Sequence, residues 1–410
     1  MFLKHLSIMG FKSFADRTDI MFSGGITAFV GANGCGKSNV LDAIKWAMGE
    51  QDNESPRAGK ATDVIFGGTK ARKASKMAEV TLTFGNAGVL PLGEQEVKIK
   101  CRLYRSGKSE YFVNARKVKH KYIQELLWDT GLGRRGYFVI EQGAIDTAIF
   151  HEPDRLRHLF EEAAGITHFK MRRAEAEQNL ASASDTINML EHIMSEVQCD
   201  HKRLKARLKS VNHTTQEEFV KITEQYEFMS GQIAKLEKAH EDLSELADEI
   251  HKESSLESEE KFIKTYDLIK ENFHNMFQRL FGGGMAELRL SDSGNLLESD
   301  IEIFVQLSDK KLNPISMLSG GERSMTMVAL LFAAYMVKPS PFCLLDCIDA
   351  EMDAVHIDHL TGLLREFSAK SQFIIITHYN ATLAVADTIF DVTMEESGVT
   401  MVNHRQTLAH

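Results

Sequence analysis

Eight residues, Gly31-Ala32-Asn33-Gly34-Cys35-Gly36-Lys37-Ser38, fit the pattern GxxxxGK[ST] and stand between an apolar strand at 26–30 and a helix at 39–48. In that context the pattern makes a phosphate site. The glycines let consecutive backbone N–H groups turn toward phosphate oxygens, and the helix N-terminus adds a favourable dipole. Lys37 then reaches the outer phosphates, and Ser38 offers a hydroxyl to magnesium. Asn33, Gly34, Cys35, Gly36, Lys37, Ser38 and Asn39 are the candidate nucleotide-binding residues. Far downstream, the apolar run 341–346 ends in Asp346, where a carboxylate would hold magnesium beside such a loop. An acid at a strand end is common, so the segment takes its meaning from the pairing. A third segment, Leu318-Ser319-Gly320-Gly321-Glu322-Arg323, places a hydroxyl and glycine N–H groups at a helix start, a second anion-binding surface. Its bland reading is a turn before a helix.

These segments lie in opposite halves of the chain, so the fold must bring them together. The first 165 residues read as mixed strands and helices, with 79–84 as an alternating strand. From Phe169, apolar or small residues recur in alternating 4-3 steps at Ala176, Leu180, Ala183, Ile187, Leu190, Met194 and Val197, broken only by Arg173. That is a heptad seam. A second seam runs through Phe219, Ile222, Tyr226, Met229, Ile233, Leu236, Leu243, Ala247 and Ile250, with His240 as its polar exception. The stretch 198–215 between them carries Asn212-His213-Thr214-Thr215, which disfavours one continuous helix. Two antiparallel helices of about 35–40 residues predict a stalk about 50–60 Å long, and a plain surface hairpin is the alternative. After Gly282-Gly283-Gly284 the α/β character returns, with strands at 286–290 and 301–307. The predicted organisation is therefore an α/β lobe at 1–165, an antiparallel coiled-coil stub at 166–256 with a joint-like turn near 200–216, and a second α/β lobe at 257–410.

Composition narrows the function classes. No run approaches the roughly 20 apolar residues of a membrane span, and the N-terminus lacks a signal-peptide pattern, so we expect a cytoplasmic protein. Five cysteines without a CxxC pair suggest reduced thiols, with neither a disulfide framework nor a structural zinc site. The net charge is −10, yet residues 57–121 hold fifteen Lys and Arg against five Asp and Glu. That local reversal permits phosphate contacts, for which Lys60, Arg72 and Lys73 are the candidates. The alternative is a set of solvated strand faces and turns.

The Leu318-Ser319-Gly320-Gly321-Glu322 segment resembles the signature of ABC-type ATPases. In that superfamily the signature of one subunit caps the γ-phosphate of ATP held by the other, which implies a dimer with two shared sites. The resemblance narrows to SMC (structural maintenance of chromosomes) proteins of the bacterial, condensin-like branch. It rests on Gly10-Phe11-Lys12-Ser13-Phe14-Ala15-Asp16, Asp63-Val64-Ile65-Phe66-Gly67-Gly68, Asp129-Thr130-Gly131-Leu132-Gly133, Phe160-Glu161-Glu162-Ala163-Ala164-Gly165-Ile166 and Phe281-Gly282-Gly283-Gly284. It covers nearly all of both α/β lobes. The implied fold is an α/β ATPase head assembled from N- and C-terminal halves and interrupted by an antiparallel coiled-coil stalk. Carried over by position, Gln142 is similar to the Q-loop glutamine that meets magnesium and attacking water. His378 resembles the switch histidine, Arg57 the arginine finger and Asp353 the D-loop aspartate. Magnesium would then be held by Ser38, Gln142 and Asp346. The resemblance further implies ATP as ligand, a second SMC head, a kleisin subunit and double-stranded DNA as partners, and a nucleoid-associated location.

Two departures stand out. The family carries a long coil and a hinge between its ATPase halves, whereas only a short stalk joins them in this sequence. Where the family has glutamate as general base, this sequence reads Asp346-Cys347-Ile348-Asp349-Ala350. A thiol is a poor acceptor for the proton of attacking water, so hydrolysis is expected to be slowed while ATP binding survives. Three rivals remain: an ABC transporter subunit, which would lack the coil; a zinc-hook DNA-repair ATPase, which would carry CxxC at the coil apex; and an ATP-bound scaffold that never hydrolyses.

Overall fold

The computed structural model describes residues 1–49, 61–128, 130–132, 139–140, 153–207, 213–291, 299–307, 311–350 and 352–405. Two compact units form, one from Met1–Gly165 with Lys261–His410 and one from Ile166–Glu260.

Alternation of apolar and polar residues sorts the faces of the first sheet. Strands β1 (Phe2–Met9), β2 (Thr18–Met21), β4 (Met77–Gly85), β5 (Glu96–Tyr104), β6 (Ser109–Val113) and β7 (Arg116–Val118) pair antiparallel in the order β2-β1-β4-β5-β6-β7. Leu6, Ile8, Val80, Leu82, Ile99, Cys101 and Val113 are buried on one face. Helix α1 (Lys37–Ala47) turns Val40, Leu41 and Ile44 into the same core, and the Cys101 thiol lies 3.4 Å from the Ala47 carbonyl. Glu79, Thr81, Lys98, Lys100 and Arg102 occupy the alternate positions, as expected of an antiparallel sheet with one solvated face.

The second sheet needs both halves of the chain. Its order is β15-β14-β3-β13-β12-β8, from β3 (Ile26–Val30), β8 (Val139–Ile140), β12 (Phe342–Asp346), β13 (Gln372–Ile376), β14 (Thr388–Glu396) and β15 (Val399–Arg405). All pairings are parallel except β14 with β15. Strands covered on both faces require continuous apolar runs, and β12 and β13 are buried at every position. The buried Gln372 amide links the two sheets: it accepts from Leu3 N and donates to Leu3 O and Ser23 O, each at 3.0 Å. A smaller antiparallel sheet, β11-β10-β9, comprises β9 (Met285–Leu290), β10 (Ile301–Gln306) and β11 (Asn313–Pro314). Among the described residues this unit also contains the helices α2 (His120–Leu127), α3 (Pro153–Ala164), α6 (Gly320–Val337), α7 (Ala354–Ser368) and α8 (Asn380–Leu383).

The second unit is helical, built on α4 (Thr167–Arg207) and part of α5 (His213–Phe281). The break between them falls at 208–212, outside the described residues. Near it, the Tyr226 ring stacks on His201 at 5.8 Å, and Gln198 Nε2 lies 3.5 Å from the Tyr226 hydroxyl. Along α4, Ala176, Leu180, Ala183, Ile187, Leu190, Met194 and Val197 are each half-buried among exposed neighbours. The second seam drifts: Ile233 is buried, but Leu236 and Leu243 are 40% and 54% exposed, and Ser244 takes the half-buried place. A straight helix rotates by about 20° per heptad against a strict seven-residue repeat, which accounts for the slip.

Candidate functional site

Three parallel strands bring the separated segments to one edge. Phe29 of β3, Ile376 of β13 and Asp346 of β12 stand in one row, so β13 separates the phosphate-loop strand from the strand that presents the carboxylate. Two strand spacings put those outer strands roughly 9–10 Å apart. The rungs continue past the strand ends, with Cys347 N donating to Ile376 O at 2.9 Å and Thr377 N to Phe29 O at 3.3 Å. The loops that follow the strands therefore face a common space at the carboxyl edge, the usual ligand position of such sheets.

Within the loop 31–38, Lys37 is 7% exposed and its ammonium donates to the carbonyls of Gly31 (3.0 Å) and Ala32 (2.9 Å). No carboxylate pairs with it among the described residues. Gly36 caps α1 with left-handed geometry, φ 99°, and, as glycine, makes no side-chain hydrogen bond to the helix N-terminus. A Cβ at Gly36 would strike the Thr400 and Ser13 hydroxyls, so glycine is required by both conformation and space. Those hydroxyls brace the loop. Asn39 Nδ2 donates to Ser13 Oγ (2.7 Å), Ser13 Oγ lies 2.6 Å from Thr400 Oγ1, and Thr400 Oγ1 donates to the Cys35 carbonyl (2.8 Å). Asn39 thus serves the loop from behind, whereas Asn33, Gly34 and Ser38 are exposed at its front.

Asp346 is 9% exposed at the end of β12. Cys347, next to it, has φ 51°, uncommon for a residue with a side chain. Burial pushes its thiol up to about 12, with the Asp346 carboxylate reinforcing the shift. Partial burial, then the Lys37 ammonium, holds the His378 imidazole below its ordinary value. These influences place Lys37, Asp346, Cys347 and His378 in one electrostatic neighbourhood. Asp353 occupies a different role in the single chain: its carboxylate caps α7, accepting from His356 N at 2.9 Å.

Ser319 is the N-cap of α6 in a reciprocal capping box. Its hydroxyl accepts from Glu322 N (3.4 Å), and Glu322 Oε2 accepts from Ser319 N (2.9 Å). Gly320 and Gly321 open the helix directly after this cap. Arg57, Lys60 and Gln142 lie outside the described residues. Of the remaining basic candidates, Lys73 is exposed, but Arg72 is held within the chain by Glu396 (2.6 Å) and Asp16. The outer face of the first sheet forms a cleft of about 400 Å³ lined by Arg17, Lys98, Lys100, Arg102 and Phe112 among others.

Sequence reasoning missed the supports. Ser13 had a signal, because it sits in the Gly10–Asp16 phrase; Thr400 had none, since no motif contains it.

Comparison with known proteins agrees with this geometry. The family described as RecF/RecN/SMC N terminal domain matches residues 2–401. The chromosome partition protein Smc of Clostridium kluyveri is 43% identical over 226 residues, 55% of this chain and 19% of that protein. Its counterpart in Bacillus subtilis is 43% identical over 206 residues, 50% of this chain and 17% of that protein. The chain thus spans about a fifth of the length of these curated relatives. Among solved structures, it is similar to the Smc head domain with an extended coiled coil from Pyrococcus furiosus, bound there to the C-terminal domain of ScpA. That match has 32% identity and TM-score 0.72 over 98% of this chain and 96% of the other. The Smc head with coiled coil and joint from Pyrococcus yayanosii matches at 28% identity and TM-score 0.72, covering 98% and 97%. Matched over nearly its whole length in sequence and in fold, the chain belongs to the RecF/RecN/SMC N-terminal domain family, as an α/β SMC head that carries a coiled-coil segment.

Proposed function

We propose that the chain is an ATP-driven engagement module of a chromosome-organising complex, with two copies closing around two nucleotides. One observation carries this reading. Among the described residues, Lys37 is a nearly buried cation with only backbone carbonyls for partners. An unpaired buried charge is costly, and the cost is offset when an anion arrives. The start of α1, where the Gly36 cap has no side chain to accept, offers further N–H donors to that anion. Ser38 and Asp346 supply hard oxygen donors suited to magnesium, with Gln142 as the third ligand of the proposed set. Magnesium, when bound, would neutralise charge on the phosphates.

Ser319, Gly320 and Gly321 present the second half of the shared site to the partner's nucleotide, with Asp353 at the same interface and Arg57 near the phosphates. His378 and Gln142 orient the reacting groups. At the base position, a thiol held at about 12 stays protonated at neutral pH and cannot take a proton from water. Hydrolysis is therefore slow, and the ATP-bound dimer is long-lived. The same observation favours a second reading, an ATP-bound clamp with no turnover at all.

The partners we propose are a second copy of this head, a kleisin of the ScpA type, as in the P. furiosus complex, and double-stranded DNA on a surface that includes Lys60, Arg72 and Lys73. The site of action is the nucleoid, in the cytoplasm. Light scattering tests the reading. ATP should convert monomer to dimer, and Ser319→Arg should block this while ATP still binds, because the side chain would occupy the partner's phosphate position. A dimer indifferent to both ATP and this substitution would sink the shared-site reading.

A further inference from the structure

His378 is largely exposed, so side-chain packing holds it only weakly and its position depends chiefly on its backbone. The residues on either side of it converge on a single buried group. Asp349 is 1% exposed, three residues beyond Asp346. Its Oδ2 accepts from the Thr377 hydroxyl at 2.5 Å and from the Thr382 hydroxyl, in α8, at 2.7 Å. These lengths lie in the range of hydrogen bonds that carboxylates accept from hydroxyls. No Lys, Arg or His forms an ion pair with Asp349 among the described residues, so the two hydroxyls are the donors that offset its burial. The Thr377 hydroxyl in turn accepts from Tyr379 N at 3.0 Å, and Tyr379 Oη donates to Ala350 O at 3.2 Å. His378 is thus bracketed by residues 377 and 379, and both are tied to the segment 349–350.

We propose that Asp349 is a positioning residue that sets where His378 stands relative to Asp346 and position 347, acting through Thr377 and Thr382. The same few residues leave the ends of β12 and β13, and among the described residues the two exit loops would without this link be joined mainly by the Cys347 N to Ile376 O rung. The link makes the loop bearing Asp346 and Cys347 move with the loop bearing His378. A displacement of one by the partner head is then passed to the other. This inference rests on the nucleotide site proposed above.

The test uses Thr382→Val, which keeps the shape but removes one donor to Asp349, and Thr382→Ser, which keeps the hydroxyl. The first readout is the His378 imidazole signal in NMR of the nucleotide-free full chain, assigned with His378→Gln. Thr382→Val should shift and broaden it, and Thr382→Ser should leave it as in the parent. The second is ATP turnover of the same variants in a Cys347→Glu background. Valine should lower turnover by about tenfold to 10²-fold, as misplacement of a reacting group does, with ATP affinity changed less than about twofold. Serine should restore it. A His378 signal untouched by valine overturns the proposal whether or not the protein binds ATP. Equal effects of serine and valine also overturn it, since methyl packing rather than the hydroxyl would then be responsible. If the signal responds as expected but the parent binds no ATP, the link stands and the nucleotide reading falls.

Discussion

The carboxyl edge of the parallel sheet and the outer face of the antiparallel sheet are both rich in charge, but they hold it differently. At the edge the charges are few and nearly buried: Lys37 at 7%, Asp346 at 9% and Asp349 at 1% exposure. The partners of Lys37 and Asp349 are carbonyls and hydroxyls, which solvate a charge without cancelling it. On the outer face, and around Arg72, the charges are many, more exposed and paired with one another. Glu79 takes Arg102, Glu396 and Asp16 take Arg72, and Glu110 takes Lys108 and Lys117. Those two lysines hold the Glu110 carboxyl down at about 2. A charge solvated by dipoles in a dry site remains available to a ligand. A charge paired at the surface is already partly neutralised and is screened by salt. Substitutions at the edge should therefore act on chemistry in large steps, and those on the outer face in small, salt-dependent ones.

The largest expected effect is at Cys347. General-base catalysis contributes about 10²- to 10⁴-fold, so Cys347→Glu should raise ATP turnover by a comparable factor with little change in affinity. The contrast breaks if the chain as it stands hydrolyses ATP as fast as the glutamate variant. Next is Lys37→Ala, which should weaken ATP binding by about 10²-fold or more, since each hydrogen bond from a charged group is worth about 1.5–3 kcal/mol. Titration with a fluorescent ATP analogue measures this, and unchanged affinity would remove the phosphate-loop assignment.

The thiol offers a pH test. With its value raised to about 12, Cys347 should react with iodoacetamide far more slowly than exposed Cys199 at pH 8. Its rate should climb about tenfold per pH unit from 8 to 9.5, in step with the thiolate fraction. The raised value also means that the folded state holds this proton more tightly than the unfolded state does. Its stabilising contribution is full below the unfolded value of about 8.5 and declines above it. Peptide mass spectrometry reads the labelling; equal rates at the two cysteines would contradict the raised value.

The smallest effect sharpens the other side of the comparison. Neutralising Lys60, Arg72 and Lys73 together should weaken binding to any duplex and flatten its salt dependence, by about one unit of slope for each phosphate that no longer has a cationic partner. Because Arg72 already serves Glu396 and Asp16, Arg72→Ala alone should change the slope less than Lys73→Ala alone. A larger change at Arg72 would mean that DNA displaces its carboxylate partners.

Local segments were the most legible part of the molecule. The phosphate loop, the strand that ends in Asp346 and the helix that starts after Ser319 could each be read from residues close together in the chain. Strand 26–30, the helix that follows it and the half-buried seam of α4 were equally legible, because side-chain period and backbone period coincide there. The drift of the α5 seam past Ile233 was not. It depends on how far a real helix departs from a strict repeat, and the pattern does not carry that information.

The sequence by itself offered the candidate groups: Lys37, Ser38, Asp346 and Ser319 through short motifs that fix their own backbone geometry and side-chain type, and His378 and the anomalous Cys347 through the family resemblance. Only the tertiary structure decided what holds them. Thr400 reaches the Cys35 carbonyl across 365 residues, and Asp349 meets Thr377 and Thr382 across 28 and 33. Such pairings are set by strand order and packing: β13 inserts between β3 and β12, and β14 brings β15 beside the phosphate loop. A lone threonine carries the same local signal whether it faces solvent or braces a site. Its role comes from the chain segments folded against it, and no window of neighbouring residues contains them.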